Sequence, residues 1–352
     1  MLNLAFIYII LIFLVLRFSV TLFNFLSNPK LGKYKKHFTS KVSVIIQVTT
    51  DSYSLINLLN SFKKQDYTNI EVIVIQPVKL KTSAELKALC DSDPRFQLRK
   101  RNTFTVEETT GEYLLFLEPQ VVIHNAFINS LIYRMKVFNL TLLNIFPSQQ
   151  LSGLMNHILL PLNSFILFNL IPLRLVRLFS SPVFAAGSSE CMFFEAETYK
   201  AYGWQQKVNK KIPEAVDVVR AVKEEGFKVE TLIGHQLISL PAPLNTNRLF
   251  SKTGGQLLKA FGNNIIAALL YVLLVVTGPL IMLLNYEYSL LILPAGLIFL
   301  SRIMISFLSG QNPVWNVLLH PVQMLFLLAA VIRESYRRTM RMIRKKSSGY
   351  QK

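Results

Sequence analysis

Cysteine, histidine and carboxylate are all in short supply in this chain, and each shortage removes a class of function. Cys90 and Cys191 are the only two cysteines in 352 residues. So far apart, they allow no disulfide framework and no paired metal motif, and they suit a reducing compartment. The five histidines fall at no ligand spacing, so a histidine-built metal centre is not indicated. Charged residues make up 16% of the chain against 51% hydrophobic, a balance too apolar for an ordinary soluble domain. The net charge of +18 comes from Lys and Arg beside apolar segments. These basic residues form no stripe with interleaved aromatics, which argues against a nucleic-acid surface, and they suit anionic lipid instead.

What is abundant is apolar sequence, and it is clustered. Leu4 to Leu26 is apolar apart from an interruption at Arg17. No basic start precedes the run and no small-residue cleavage site follows it, so residues 1–27 are expected to be a retained anchor, not a signal peptide. Lys30, Lys33, Lys35, Lys36 and Lys41 follow directly, which puts that side in the cytoplasm. A C-terminal membrane region is expected over 264–332. Ile265–Leu284 and Leu290–Leu308 read as spans, and Val314–Ile332 as a weaker segment with His320, Pro321 and Gln323 at its middle. If that segment is re-entrant or interfacial, the basic tail, 333–352, stays on the cytoplasmic side. The expected location is therefore the cell (inner) membrane, multi-pass.

Between residues 41 and 243 strand and helix alternate. Val42–Val48 and Ile70–Ile75 are short β-branched runs of the buried-strand kind. Leu55, Leu58, Leu59 and Phe62 lie between them at helical spacing. A short helix over Ala84–Leu89, a strand at Phe96–Leu98 and a strand at Tyr113–Leu117 follow. That order predicts an α/β domain with a mostly parallel sheet, whose ligands bind beyond the carboxyl ends of the strands. Leu151–Ser181 is apolar but broken by Pro161, Asn163, Asn169 and Pro172, and it is expected to lie in the membrane interface. A Gly/Ser turn then leads into a strand within Phe184–Phe194. A helix over Pro213–Glu225 carries Glu214 and Asp217 on one face of its first turn, and Phe227–Leu232 is a last strand.

Four stretches give the order of pieces a family likeness. "VSVIIQVTTDSYSLINLLNSFKKQDYTNIEVIVI" resembles the first strand, helix and second strand of the membrane-bound family 2 glycosyltransferases, in particular the ceramide glucosyltransferase-like and carotenoid-acid glycosyltransferase-like branch. "GEYLLFLEPQVV", Gly111 to Val122, is similar to that family's Asp-x-Asp segment. "FFEAETYKAYGWQQKVNKKIPEAVDVVRAVKEEGFKV" is similar to its Glu-Asp region, and "NRLFSKTGGQLLKAFGNN" to its last conserved elements. The resemblance implies a nucleotide-diphospho-sugar transferase fold of the GT-A kind with N- and C-terminal transmembrane helices. It also implies a nucleotide-sugar donor, a divalent cation (manganese or magnesium), and a membrane lipid or lipid-like pigment as acceptor.

Carried over position by position, the chemistry is thinned. The acid that contacts the nucleotide falls on Gln76 or Pro77. The Asp-x-Asp falls on Glu118 and Gln120, leaving Glu118 as the one charged candidate metal ligand. A hard divalent cation takes charged oxygen ligands, and Gln120 offers a neutral carbonyl. The Glu-Asp pair falls on Glu214-Ala215, so a methyl group stands in place of the general base. Glu214 or Asp217 is left as candidate base, and Lys100, Arg101, Arg248 and Lys259 as candidate cations for the diphosphate. Glu190, beside the Gly/Ser turn, is a candidate for facing the acceptor. Two functions stay open: a divergent membrane glycosyltransferase, and a catalytically inactive relative that serves as membrane scaffold or partner subunit. A transporter is disfavoured by the small number of spans. The lysine cluster after the first apolar run yields a topological test. A protease site placed near Asn102 is expected to stay protected in intact cells, and cleavage from outside would reverse the assigned orientation.

Overall fold

A computed structural model describes residues 2–34, 36–48, 53–204, 214–243, 246–285 and 288–349. The chain divides into two compact units. One is helical and comprises Met1–Asn28, Leu151–Pro172 and Ala242–Lys352; the other, Pro29–Gln150 with Leu173–Pro241, is built on a sheet.

The helical unit holds α1 (Leu2–Ser27), α5 (Leu154–Leu170), α9 (Thr246–Ala260), α10 (Ile265–Asn285), α11 (Tyr288–Ser309), α12 (Pro313–Leu318) and α13 (His320–Gly349). Within α1, α10 and α11, three segments are long and apolar enough to cross a membrane: Ala5–Ser27, Ile265–Met282 and Leu291–Ser309. In such surroundings every freed backbone group needs a protein partner. Pro161 sits inside α5 and has no N–H to give the carbonyl of His157. The buried Gln323 side chain donates to that carbonyl instead, at 3.0 Å. The carboxyl end of α5 is completed in the same way from α1, where Asn24 Nδ2 donates to the carbonyls of Phe168 (3.0 Å) and Ile171 (2.8 Å). Gly254 lets α9 lie against α13: a Cβ there would come within 2.3 Å of the Ala330 carbonyl oxygen.

The sheet unit contains β1 (Val42–Gln47), α2 (Tyr53–Lys63), β2 (Ile70–Gln76), α3 (Ala84–Asp91), β3 (Phe96–Lys100), β4 (Tyr113–Leu117), β5 (Val122–Ile123), α4 (Phe127–Phe138), β6 (Leu142–Phe146), β7 (Ser148–Gln149), α6 (Leu175–Leu178), β8 (Cys191–Glu195), α7 (Ala196–Tyr202), α8 (Ala215–Glu224), β9 (Val229–Ile233) and β10 (Ile238–Leu240). Seven strands form the main sheet in the order β3-β2-β1-β4-β8-β6-β9, and β5-β10-β7 form a small second sheet. The expected mostly parallel α/β sheet is present. β8 alone runs antiparallel to its neighbours β4 and β6. The central strands are buried along nearly their whole length, which is why they read as unbroken Val, Ile and Leu.

Two elements in 123–150 carry no clear sequence signal. Helix α4 buries Asn129, Ser130 and Arg134 along with its apolar residues, so its 3.6-residue period is blurred. Each polar group has a task. Asn129 Oδ1 accepts from the Phe38 N–H and Ser130 Oγ from the Tyr34 N–H, which ties the 34–38 segment to the helix. Strand β6 follows α4 and carries Asn144 among apolar residues.

Two buried carboxylates organise the sheet's flanks. Glu71 accepts from Ser43 Oγ and from the N–H (2.8 Å) and hydroxyl (3.0 Å) of Thr110. Burial by itself would raise its pKa, but these hydrogen bonds and the Lys41 charge outweigh that and hold it below the usual range. The same knot fixes Gly111, where a Cβ would lie 2.5 Å from the Ser43 nitrogen. Glu230 is fully buried and meets Arg134 (2.6 Å), Arg174 (3.0 Å) and Arg177 (3.0 Å). Removing the single carboxylate of such a cluster leaves buried like charges without compensation. Glu230→Gln is therefore expected to cost about 3–5 kcal/mol, read as a lowered thermal midpoint of the purified chain; an unchanged midpoint would show that the cluster is solvated.

Candidate functional site

The carboxyl ends of β2, β1 and β4 form one edge. Gln47 pairs with Ile75, and Ile46 with Leu117. Gln76 and Glu118 therefore emerge at one level on either side of β1, with roughly 10 Å between their backbones from two strand spacings. The Gln76 side chain is fully buried; its Oε1 accepts from Thr82 Oγ1 at 2.8 Å, and its Nε2 has no partner among the described residues. Its backbone carbonyl accepts from the Arg101 N–H at 2.9 Å. Lys100 donates its ammonium to the Leu80 carbonyl at 2.8 Å, so it steadies the loop after β2.

Glu118 accepts from Ser189 Oγ at 2.9 Å, and its own N–H donates to the Glu190 carbonyl at 3.1 Å. Glu190 in turn accepts from the Ser188 hydroxyl. The strand end of β4 and the turn before β8 are thus laced together because β8 runs antiparallel to β4 and begins where β4 ends. Pro119 and Gln120 turn away to let the Val121 N–H reach the Glu118 carbonyl at 3.3 Å, and the Gln120 side chain is exposed.

The 186–190 turn is gripped from behind. Asn144 on β6, fully buried, accepts from the Ser188 N–H at 2.7 Å and donates to the Ser188 carbonyl at 2.8 Å. Thr231 on β9 donates to the Ala186 carbonyl at 2.7 Å. Gly187 is pressed against the first turn of α8, and a Cβ there would lie 3.0 Å from both the Ala215 carbonyl oxygen and Val219 Cγ2. Glu214 is the N-cap residue of α8, and Asp217 in its first turn pairs with Arg220 at 3.3 Å. Glu118, Ser188, Ser189, Glu190 and the amino end of α8 thus adjoin one turn. Cys191, next in the chain, is no nucleophile: it is fully buried, and burial together with the Glu190 charge pushes its thiol pKa up.

Of the residues singled out in the sequence, Gln76, Glu118, Gln120, Glu214 and Asp217 belong to the sheet unit. Lys259 is an exposed residue of α9 in the helical unit, and the Arg248 side chain lies outside the described residues. Asn144, Thr231, Ser188 and Ser189 were not anticipated. Their signals were faint: one amide inside an apolar strand, and hydroxyls in a turn that by sequence is only flexible.

The donor set is a poor cage for a divalent cation. Among the described residues no group of three or more His, Cys, Asp or Glu comes together. Two carboxylates already engaged with serines, plus an exposed amide, would hold a divalent cation only with water and the donor's own phosphates completing its oxygens.

No family model and no curated protein matches the chain. Among solved structures it resembles a mannosyltransferase from Pyrobaculum calidifontis, in complex with GDP-Man and Mn2+, at a TM-score of 0.57 and 11% identity over 94% of this chain and 99% of that one. A weaker match is S. aureus TarS 1–349, TM-score 0.39 and 14% identity over 85% of this chain and 92% of that one. At that identity the first match establishes the fold, which is that of GT-A transferases. The double hydrogen bond on Ser188 gives the site its test. Asn144→Ala is expected to cost about 2–3 kcal/mol from two buried bonds and to speed amide exchange across 186–190. Unchanged exchange there would mean that the turn is held by other contacts.

Proposed function

We propose that the sheet unit faces the cytoplasm and binds the diphosphate of a nucleotide sugar at the edge formed by β2, β1 and β4. The observation that carries this is the meeting of Glu118, the 186–190 turn and the amino end of α8 at that edge, in a sheet of the GT-A kind. The acceptor class is a membrane lipid or lipid-like pigment, in keeping with apolar helices on the same chain.

In transfer, an acceptor oxygen attacks the anomeric carbon. The bond from that carbon to the phosphate oxygen breaks, the nucleoside diphosphate leaves, and a base takes the acceptor's proton. Glu214, the N-cap residue of α8, and Asp217 in its first turn are the candidates for that base role. These steps need no metal where basic side chains neutralise the leaving diphosphate. Basic side chains take up the diphosphate charge; Arg101, exposed beside Gln76, is the candidate on the sheet unit. The unpartnered amide of Gln76 is suited to a carbonyl or hydroxyl of the nucleoside.

One observation favours a second possibility, a catalytically inactive relative that keeps the fold as scaffold or partner subunit. Ala215 puts a methyl group where the resemblance calls for an acid, and Asp217 is paired with Arg220. Binding and turnover separate the two. Uridine and guanosine diphosphate sugars are expected to bind the purified chain weakly and equally well with and without chelator. Combining Glu118→Asp, Pro119→Ala, Gln120→Asp and Ala215→Asp is expected to make binding depend on manganese. Tight binding by the unaltered chain that is lost on chelation would make Glu118 a true metal ligand and overturn the metal-free assignment. Turnover that disappears in Glu214→Gln or Asp217→Asn while donor binding persists identifies the transferase; binding without turnover identifies the inactive relative.

A further inference from the structure

Arg17 and Arg302 are the only charged residues within the three span-length apolar segments. Each lies near the middle of its segment, Arg17 in Ala5–Ser27 and Arg302 in Leu291–Ser309. Both guanidinium groups address one ring: the carbon of Arg302 lies 3.9 Å and that of Arg17 4.8 Å from the centroid of Phe165 on α5. Arg302 is 1% exposed. Its Nε donates to His320 Nδ1 at 2.8 Å, but Nη1 and Nη2 are buried with no partner among the described residues. Arg17 reaches Asn169 Oδ1 from Nη2 at 3.4 Å, a weak contact, and its Nε is buried without a partner among the described residues. An arginine in these surroundings stays charged. Attraction to a ring face is small beside the cost of burying a charge.

Among its described residues the helical unit has no carboxylate for them. By sequence it holds two, Glu287 and Glu334. Glu334 pairs with Arg338 (3.4 Å) and Arg337 (3.9 Å), and Glu287 lies outside the described residues. Beside Arg17 is a cavity of about 10 Å³ that Leu14, Phe165, Asn169, Ser301 and His320 also line, and His320 is the residue that accepts from Arg302. That is room for one oxygen atom of a headgroup next to Arg17, not for the whole head. Unpaired donors call for an acceptor, two fixed positive charges call for an anion, and paired guanidinium N–H groups suit the oxygens of a phosphate or carboxylate.

We propose that Arg17 and Arg302 form an anion site inside the helical unit that takes the oxyanion head of a lipid. A lipid suits the place better than a free ion. A free ion would shed all its water to enter apolar walls, whereas an amphiphile brings a tail that those walls favour. The site is independent of the donor-binding proposal: it stands whether or not the sheet unit transfers a sugar.

The full chain, purified in a neutral maltoside detergent, is titrated with dodecyl phosphate and with laurate, and with inorganic phosphate and dodecanol as controls. At saturating ligand either amphiphilic anion is expected to raise the melting temperature by about 5 °C, and the two controls to leave it unchanged. Arg302→Gln is expected to abolish that shift and to melt no lower than the lipid-free parent, since it removes an unpaired buried charge. Native mass measurement of the parent is expected to show one oxyanionic lipid per chain, and none on Arg302→Gln. If that variant does not fold, Arg17→Gln, at the half-buried partner, takes its place, and the mass measurement on the parent decides alone if both fail. No melting shift together with no bound lipid overturns the site. An equal response to inorganic phosphate overturns the lipid assignment in favour of a free ion. A full shift retained in either variant overturns the role of that arginine.

Discussion

The site depends on one buried amide. Asn144 holds both the N–H and the carbonyl of Ser188, so a five-residue turn that would otherwise be loose has one fixed position. From it follow the placements of Ser189 against Glu118, of Glu190 beside the end of β4, and of Gly187 against the first turn of α8. A buried amide with both ends satisfied is stabilising, whereas a half-satisfied one is costly, so this contact tolerates little variation. The antiparallel course of β8 is the topological condition for it, because only a strand entering from that edge brings its leading turn to the end of β4.

The helical unit obeys a different constraint. In apolar surroundings its polar groups must find each other. Gln323 serves the carbonyl freed by Pro161, Asn24 serves the end of α5, and Asn169 accepts from Thr21 and Arg17. These bonds explain how proline and asparagine, which by sequence break the 151–181 segment, are accommodated in a continuous helix over Leu154–Leu170. Against this pattern of satisfaction Arg302 Nη1 and Nη2, buried with no partner among the described residues, stand out.

The strand edge poses a chemical puzzle in which charge and shape point different ways. Its layout is that of a GT-A sheet. Its acids are few and hydrogen-bonded to serines, and a methyl group occupies the position after Glu214. Loss of metal-binding charge with retention of the scaffold is compatible with a site that handles a diphosphate through basic side chains, or that has ceased to turn over. In the proposed reading, what separates the two is whether Glu214 or Asp217 serves as base.

The sequence alone determined what depends on period and composition. The buried runs of β1, β2 and β4, the amphipathic α2, and the apolar lengths near Leu4, Ile265 and Leu290 are local properties of side chains, and they are legible as such. Set against the family resemblance, the amide at 120 and the methyl group at 215 were equally legible, because a missing carboxylate is missing in any fold. Helix α4 and strand β6 were not. Their inward polar residues, Asn129, Ser130, Arg134 and Asn144, look like surface residues until their partners at 34, 38, 188 and 230 are brought alongside. Only the tertiary structure decided that Ser188 and Ser189 belong to the site, that Glu230 gathers three arginines, and that Arg17 and Arg302 share one ring. Each is a contact between residues tens to hundreds of positions apart, and no local pattern encodes a distance that only the packed chain creates.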